Sequence, residues 1–322
     1  MAPILVTGAT GNVGAALIPF LLGAGATVRA AVRAPAKEAE RVPANVELVP
    51  FDFVVPDTFG PALDGVEQVF LMRPPALSNI RRDMLPFLTA LKDHGVRQVV
   101  FLSLLGAEKN KVVPHARVEE ALAKLELPTT LLRPSFFMQN LDTTHRLDIK
   151  DHNEIYVPAG NGRTSFIDVR DIAAVAARTL TEDGHVGQAY PLTGSVALTY
   201  GEVAEIFTRV LARPITYPNP ALPAFTARMR SYGHAFDFIM VMIGIYTTAR
   251  LGLAAFVSDD CERLLGRAPI TVEQYVKDYR AVWQGSITLP RRKIGDRRKR
   301  TVATAPIRSP PRASFTRPQH NR

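Results

Sequence analysis

The octapeptide TGATGNVG, residues 7–14, constrains the fold more than any other stretch of this chain. It follows the apolar run Ile4-Leu5-Val6 and opens a segment of helical composition, so three glycines at spacing three fall on a strand-to-helix turn. In that context each glycine has a separate task. Gly8 allows the sharp turn, Gly11 lets backbone N–H groups approach a pyrophosphate, and Gly14 lets the helix lie close against the strand. The positive end of that helix then faces the anion. A turn that bound nothing would not need glycine at all three places.

The first half of the chain continues the same alternation. Apolar, β-branched runs at 4–7, 27–32, 46–50, 68–72, 98–103 and 129–133 predict parallel strands. Between them, 13–22, 79–93 and 114–125 have helical length, with helix-stop glycines at Gly25 and Gly95. Strand and helix in turn give an α/β fold, a doubly wound parallel (Rossmann) sheet covered on both faces. After Pro134 the pattern loosens. A strand is expected near 165–167, then a helix from Asp168 to about Thr181, then a strand at 189–192. Thr199 and Glu202 predict a capping box that opens a mostly helical stretch running to Trp283. The expected organisation is a dinucleotide-binding domain at 1–192, a smaller substrate-side lobe at 193–285 that also receives segments of 134–164, and a basic tail at 286–322.

The net charge of +9 invites a nucleic-acid reading until its distribution is followed. Residues 286–322 hold eleven Lys/Arg and one acid, Asp296, whereas residues 1–285 hold 28 basic and 29 acidic groups. The body is neutral. The tail, rich in Pro, Ser and Arg, is expected to be disordered, and serves as a nuclear-import signal, a nonspecific anion-binding arm or a plain solvated extension. Cys261 is the single cysteine, so an intrachain disulfide is excluded and a reducing, cytoplasmic setting is expected. No signal peptide is read at the N-terminus. The longest later apolar run, 238–246, is far short of the roughly 20 residues of a membrane span. The seven histidines and one cysteine show no metal-ligand spacing.

The nucleotide type is read at the end of the second strand, where an acid would bind a ribose 2′-hydroxyl. Here Arg33 stands in that place, and Lys37 follows. A guanidinium can hold a 2′-phosphate by charge-assisted hydrogen bonds, so NADP(H) is favoured over NAD(H). The alternative is a solvated loop charge.

TGATGNVG with AAVR, FDF (51–53), LRPSFFMQNL (132–141) and FIDVRDIA (166–173) resembles the NmrA-like family of atypical short-chain dehydrogenase/reductases, over roughly residues 4–283. The resemblance implies that Gly8, Gly11, Asn12, Val13 and Gly14 line the pyrophosphate loop and Arg33 the 2′-phosphate. It implies that Asp52 and Phe53 border the adenine, Met72 and Arg73 the adenosine ribose, and Ser103 the nicotinamide half. Thr7, Lys37, Pro134 and Phe136 join these expected cofactor contacts. Asp168 and Asp171 are expected to cap and orient the following helix.

Short-chain reductases with a Tyr-x-x-x-Lys pair use the phenol as acid, and no such pair stands where it belongs. PHARVEEAL (114–122) instead offers His115 and Glu119, which share a helix face at spacing four. Relatives often carry Lys or His at the His115 position, so His115 is the candidate general acid or electrostatic contact, with a working range expected near neutral pH. Phe136, Phe137, Met138 and the segment 225–246 suit a small hydrophobic substrate such as a quinone, and equally an ordinary core. Two functions follow: an NADPH-dependent oxidoreductase acting on a quinone or conjugated carbonyl, or a non-catalytic NADP(H) sensor acting through a protein partner. Nucleic-acid binding rests on the tail alone.

Overall fold

The computed structural model describes residues 2–284. The N-terminal half alternates strictly: β1 (Ile4–Thr7), α1 (Asn12–Gly23), β2 (Val28–Val32), α2 (Pro35–Glu38), β3 (Glu47–Pro50), α3 (Phe59–Leu63), β4 (Gln68–Met72), α4 (Ile80–Asp83), α5 (Leu85–Asp93), β5 (Gln98–Leu102), α6 (Pro114–Lys124) and β6 (Thr129–Pro134). Then come β7 (Arg163–Thr164), α7 (Val169–Thr181), β8 (Ala189–Leu192), β9 (Leu198–Thr199) and α8 (Tyr200–Leu211). The helices α9 (Leu222–Ser231), α10 (Phe236–Arg250), α11 (Asp260–Leu265), α12 (Val272–Asp278) and α13 (Arg280–Gln284) complete the described chain.

Seven strands form one sheet in the order β3-β2-β1-β4-β5-β6-β8, every neighbouring pair parallel. The strands are buried on both faces, and the side-chain period of two sorts them. Ile4, Val6, Phe70, Val100 and Leu102 join a core with α1 and α7, while Leu5, Val69, Leu71, Val99 and Phe101 join a core with α3, α5 and α6. A third apolar cluster gathers α8, α9, α10 and α12 around Tyr200, Phe207, Phe225, Tyr246 and Tyr275. Gly25 and Gly95 take left-handed backbone at the ends of α1 and α5, as expected of helix stops.

Two expected elements differ. The helix predicted over 79–93 is two helices, α4 capped by the Asn79 side chain and α5 with Pro86 in its first turn, because proline supplies no N–H to continue α4. The strand predicted at 165–167 lies one step earlier: β7 pairs antiparallel with β9, and Ile167 makes only a single parallel bridge to Phe137. The Thr199–Glu202 capping box is present. The expected tail at 286–322, with its nuclear-import and anion-binding readings, lies outside the described residues. Among the described residues no helix is long and apolar enough to cross a membrane, and no group of three or more His, Cys, Asp and Glu could hold a metal ion.

Candidate functional site

The strand order reverses between β1 and β4, which opens a crevice beyond their carboxyl ends. The glycine turn lies there. Gly8 has φ +62°, a backbone conformation glycine adopts without strain, and a Cβ on it would run into the end of the Met72 side chain. Gly14 is fixed by backbone instead: its Cβ would collide with the Gly8 carbonyl oxygen and approach the Ala9 Cα to 2.9 Å. Gly11 is different again. Its φ of −83° suits any residue, and the nearest protein atom to its Cβ would be the Gly8 oxygen at 3.2 Å. The fold asks for Gly8 and Gly14 on its own account, whereas Gly11 leaves space above the turn.

That space faces α1, whose first turn has neither a capping side chain nor an acid. The N–H groups of Asn12, Val13 and Gly14 thus begin a helix with its positive end open to an anion. Thr7 is fully buried; its hydroxyl donates to the Phe70 carbonyl (3.0 Å) and accepts from the Met72 N–H (2.8 Å), clamping β1 to β4 below the crevice. Met72 overhangs both Gly8 and Gly11.

At the end of β2, Arg33 and Lys37 stand exposed, with no ion-pair partner among the described residues. Sequence reasoning passed over a third cation. Arg41 donates to the Thr10 carbonyl (2.8 Å) inside the glycine turn and to Glu38 (2.7 Å). Its signal in the sequence was only an i,i+3 acid–base pair, which surface helices carry routinely. Asp52 folds its side chain back to accept from the Val54 N–H (3.1 Å), and Phe53 sits in an aromatic cluster with Phe51, Phe59 and Phe87, 6% exposed. Phe53 is thus chiefly core. The donor set therefore fits a dinucleotide: open α1 amides, a glycine turn, and two cations, Arg33 and Lys37, without an ion-pair partner among the described residues.

The β4–β5 edge departs from expectation in two ways. Glu119 is not free to react: Arg133 grips both its oxygens (3.1 and 2.7 Å), and the Ser103 hydroxyl donates to one of them. Arg133 also lies 3.5 Å from Glu108. Ser103 is consequently spent on this network, 4% exposed, and Arg133 is the partner that sequence reasoning missed, fourteen residues from Glu119 with no local pattern to betray it. His115 is mostly buried, its Nδ1 has no hydrogen-bond partner, and its ring lies 6.3 Å from that of Phe101. Burial first, and then the charge of Arg73, push its pKa down to about 4. The expected working range near neutral pH is lost, because the imidazole is neutral there.

Arg73, expected beside the adenosine ribose, turns into its own loop and donates from one nitrogen to the carbonyls of Pro74 (2.9 Å), Pro75 (3.2 Å) and Leu77 (2.9 Å). The Pro134 carbonyl accepts from the Leu105 N–H (2.9 Å), and Phe136 reaches into the third apolar cluster, its ring centroid 5.5 Å from Phe166 and 6.1 Å from Tyr246. Asp168 caps α7 through the Arg170 N–H, while Asp171 accepts from Arg267 and the Ile270 N–H, so both orient structure, as expected. Cys261 is buried, and burial pushes its thiol up to about 12.

Known proteins share this arrangement. The NmrA-like family model matches residues 2–250. The NAD(P)H azoreductase of Xenophilus azovorans is 32% identical over 284 residues, 87% of this chain and 99% of that protein. The NADPH-dependent quinone oxidoreductase of Escherichia coli, solved with NADPH, has a TM-score of 0.78 at 26% identity and covers 85% of this chain and 99% of its own. Triphenylmethane reductase from Citrobacter sp., solved with NADP(H), has a TM-score of 0.76 at 25% identity and covers 84% and 98%. With its glycine turn, sheet order and nearly full-length match, the chain belongs to the NmrA-like family.

Proposed function

We propose that this protein is an NAD(P)H-dependent oxidoreductase that uses NADPH in preference to NADH and reduces quinones and similar flat conjugated acceptors. The observation that carries the reading is the open crevice, with unpaired α1 amides above Gly11 and the exposed Arg33 at the end of β2 where no acid repels a 2′-phosphate. Gly8, Gly11, Asn12 and Val13 would hold the pyrophosphate, and Arg33, with Lys37 and Arg41 near, the third phosphate. Reduced nicotinamide would supply a hydride, and an acceptor already conjugated needs little protonic help. This suits a site whose only histidine candidate is neutral. Relatives include an azoreductase, a quinone oxidoreductase and a triphenylmethane reductase. The helix α10 carries exposed apolar side chains, among them Phe238, Val241 and Ile245 on one side, that a flat conjugated acceptor would contact.

The test is NADPH and NADH oxidation followed at saturating quinone and azo acceptors, with calorimetric affinities for both nucleotides. NADPH should bind at least about tenfold more tightly, roughly one charge-assisted contact, and Arg33→Gln should erase most of that preference. Tight NADPH binding with no oxidation across the acceptor series would replace the reductase by a nucleotide sensor.

A further inference from the structure

The β4–β5 edge holds a cation, Arg73, that no carboxylate pairs directly among the described residues. Met72 pairs with Leu102 across β4 and β5, so Arg73 and Ser103 follow at matching positions, and by the period of two they share the face of Leu71 and Phe101, the face that α6 covers. Ser103 bonds Glu119 on α6, and His115 lies one helical turn nearer the helix start, beyond the strand ends. Arg73, His115 and the first turn of α6 thereby converge on one edge.

Arg73 is partly buried, bonds only backbone carbonyls, and leaves its Nε buried without a partner. The two carboxylates nearby, Glu108 and Glu119, are both taken by Arg133. The start of α6 has no capping side chain and no acid in its first turn. His115 has its Nδ1 buried and unpartnered; a buried N–H without an acceptor costs more than a buried lone pair, so the proton belongs on Nε2. The Arg73 Nε and a neutral His115 Nε2–H are thus donors without an acceptor among the described residues, whereas the α6 start adds little, since Pro114 has no N–H and the Ala116 N–H bonds the Val113 carbonyl (3.1 Å).

We propose that Arg73 and His115 form an anion site for the oxyanion that a conjugated acceptor becomes on reduction. The inference rests on the reductase reading above. Addition of a hydride to carbon places the displaced electron pair on the acceptor oxygen, and a proton from water then gives the neutral product. The site holds the oxygen while it is charged, with Arg73 supplying the charge and His115 a hydrogen bond that needs no proton transfer. The ligand class is a phenolate or enolate, and Arg73 serves the acceptor rather than the adenosine ribose.

A phenol that ionises near neutral pH and absorbs only as its anion reads the site without turnover. Titrated with excess protein, alone and with NADP+, it should ionise about one pH unit lower than in buffer, roughly a tenfold preference for the anion. Arg73→Gln should abolish the shift, Arg73→Lys should restore part of it, and His115→Asn should reduce it. In turnover, Arg73→Gln should lower kcat about a hundredfold with NADPH affinity unchanged, as loss of an oxyanion donor does. Unchanged NADPH affinity also shows that the variant is folded. An unshifted phenol in the wild type, or an Arg73→Gln protein that loses NADPH affinity while keeping kcat, overturns the proposal. Failure of every acceptor to consume NADPH would sink the reductase reading instead, and a phenol shift in that protein would still establish the anion site.

Discussion

The glycine crevice and the helical lobe use polar groups in opposite ways. At the crevice the donors are left open: α1 starts without a cap, Arg33 has no acid, and Arg73 and His115 keep buried nitrogens unpartnered. In the lobe, the buried carboxylate Asp148 is met by a cation from within, although its Oδ2, the His145 Nδ1 and the Asp142 Oδ1 stay unpartnered. Asp148 is fully buried and accepts from the Tyr232 hydroxyl (2.8 Å) and from Arg228 (3.3 Å); Arg228 also bonds Glu154 and lies over the Tyr156 ring, 3.3 Å from its centroid. His145, also buried, is bonded to Tyr246. An open donor set is poised for a ligand, whereas a closed one holds helices together. The same residue types therefore carry different consequences when removed.

The largest effect should come from the closed set. Arg228→Leu strands the Asp148 carboxylate away from water, and breaking a buried pair from one side costs about 3–5 kcal/mol. Arg228 is partly exposed, which favours the lower end, about 3 kcal/mol in denaturant melts. NADPH affinity of the folded fraction should not change. A melt within 1 kcal/mol of wild type would show that the lobe does not depend on this network.

Next is a pair within the crevice itself. Gly14→Ala drives a methyl into the Gly8 carbonyl and the Ala9 Cα, rigid backbone that cannot turn aside, and should cost roughly 2–3 kcal/mol of stability. Gly11→Ala sets a Cβ 3.2 Å from the Gly8 oxygen, tight but short of the collision at Gly14, and should cost at most about 1 kcal/mol while weakening NADPH at least about tenfold, because its side chain would stand where the pyrophosphate lies. Equal effects of the two variants would erase the distinction between the glycine the fold needs and the glycine the ligand needs.

What the sequence revealed follows the same division. The turn at residues 7–14, the strand positions and the caps at Asp168 and Thr199 are local patterns, and a local pattern is written in consecutive residues. Glu119 shows the limit. Its spacing to His115 placed it correctly on the helix face, but its function is set by Arg133 and Ser103, which meet it only through the register of β5 and β6. Arg73 is likewise placed at the correct strand end, but its bonds to the Pro74, Pro75 and Leu77 carbonyls are not read from the sequence. The direction of a long side chain depends on the loop carbonyls around it, and no spacing rule encodes those. The lobe was the least legible, since Asp148 meets Arg228 across eighty residues of irregular chain.

The smallest effect tests the contrast by its sign. His115 at the crevice has its pKa lowered to about 4, and Asp142 in the helical lobe, its Oδ1 without a partner, has its own raised to about 6 by burial. For His115, the unfolded chain takes up a proton near its ordinary 6.5 while the folded chain does not until about 4. Its contribution is full above 6.5 and falls as the pH drops toward about 4, by roughly 2–3 kcal/mol at most. Asp142 runs the other way: the unfolded carboxyl ionises near 3.8, so its contribution is full below that and is lost as the pH rises through about 6. The two slopes partly cancel between pH 4 and 6, so wild type alone cannot separate them. His115→Asn should leave a protein whose stability falls with rising pH in that window, and Asp142→Asn one whose stability rises with it. At pH 7 Asp142→Asn should be more stable than wild type by roughly 1–2 kcal/mol, since the amide no longer has to ionise where Asp142 is partly buried. Burial disfavours the charged form in both places, so the base moves down and the acid up; variants whose slopes change in the same direction would mean that burial does not set both shifts.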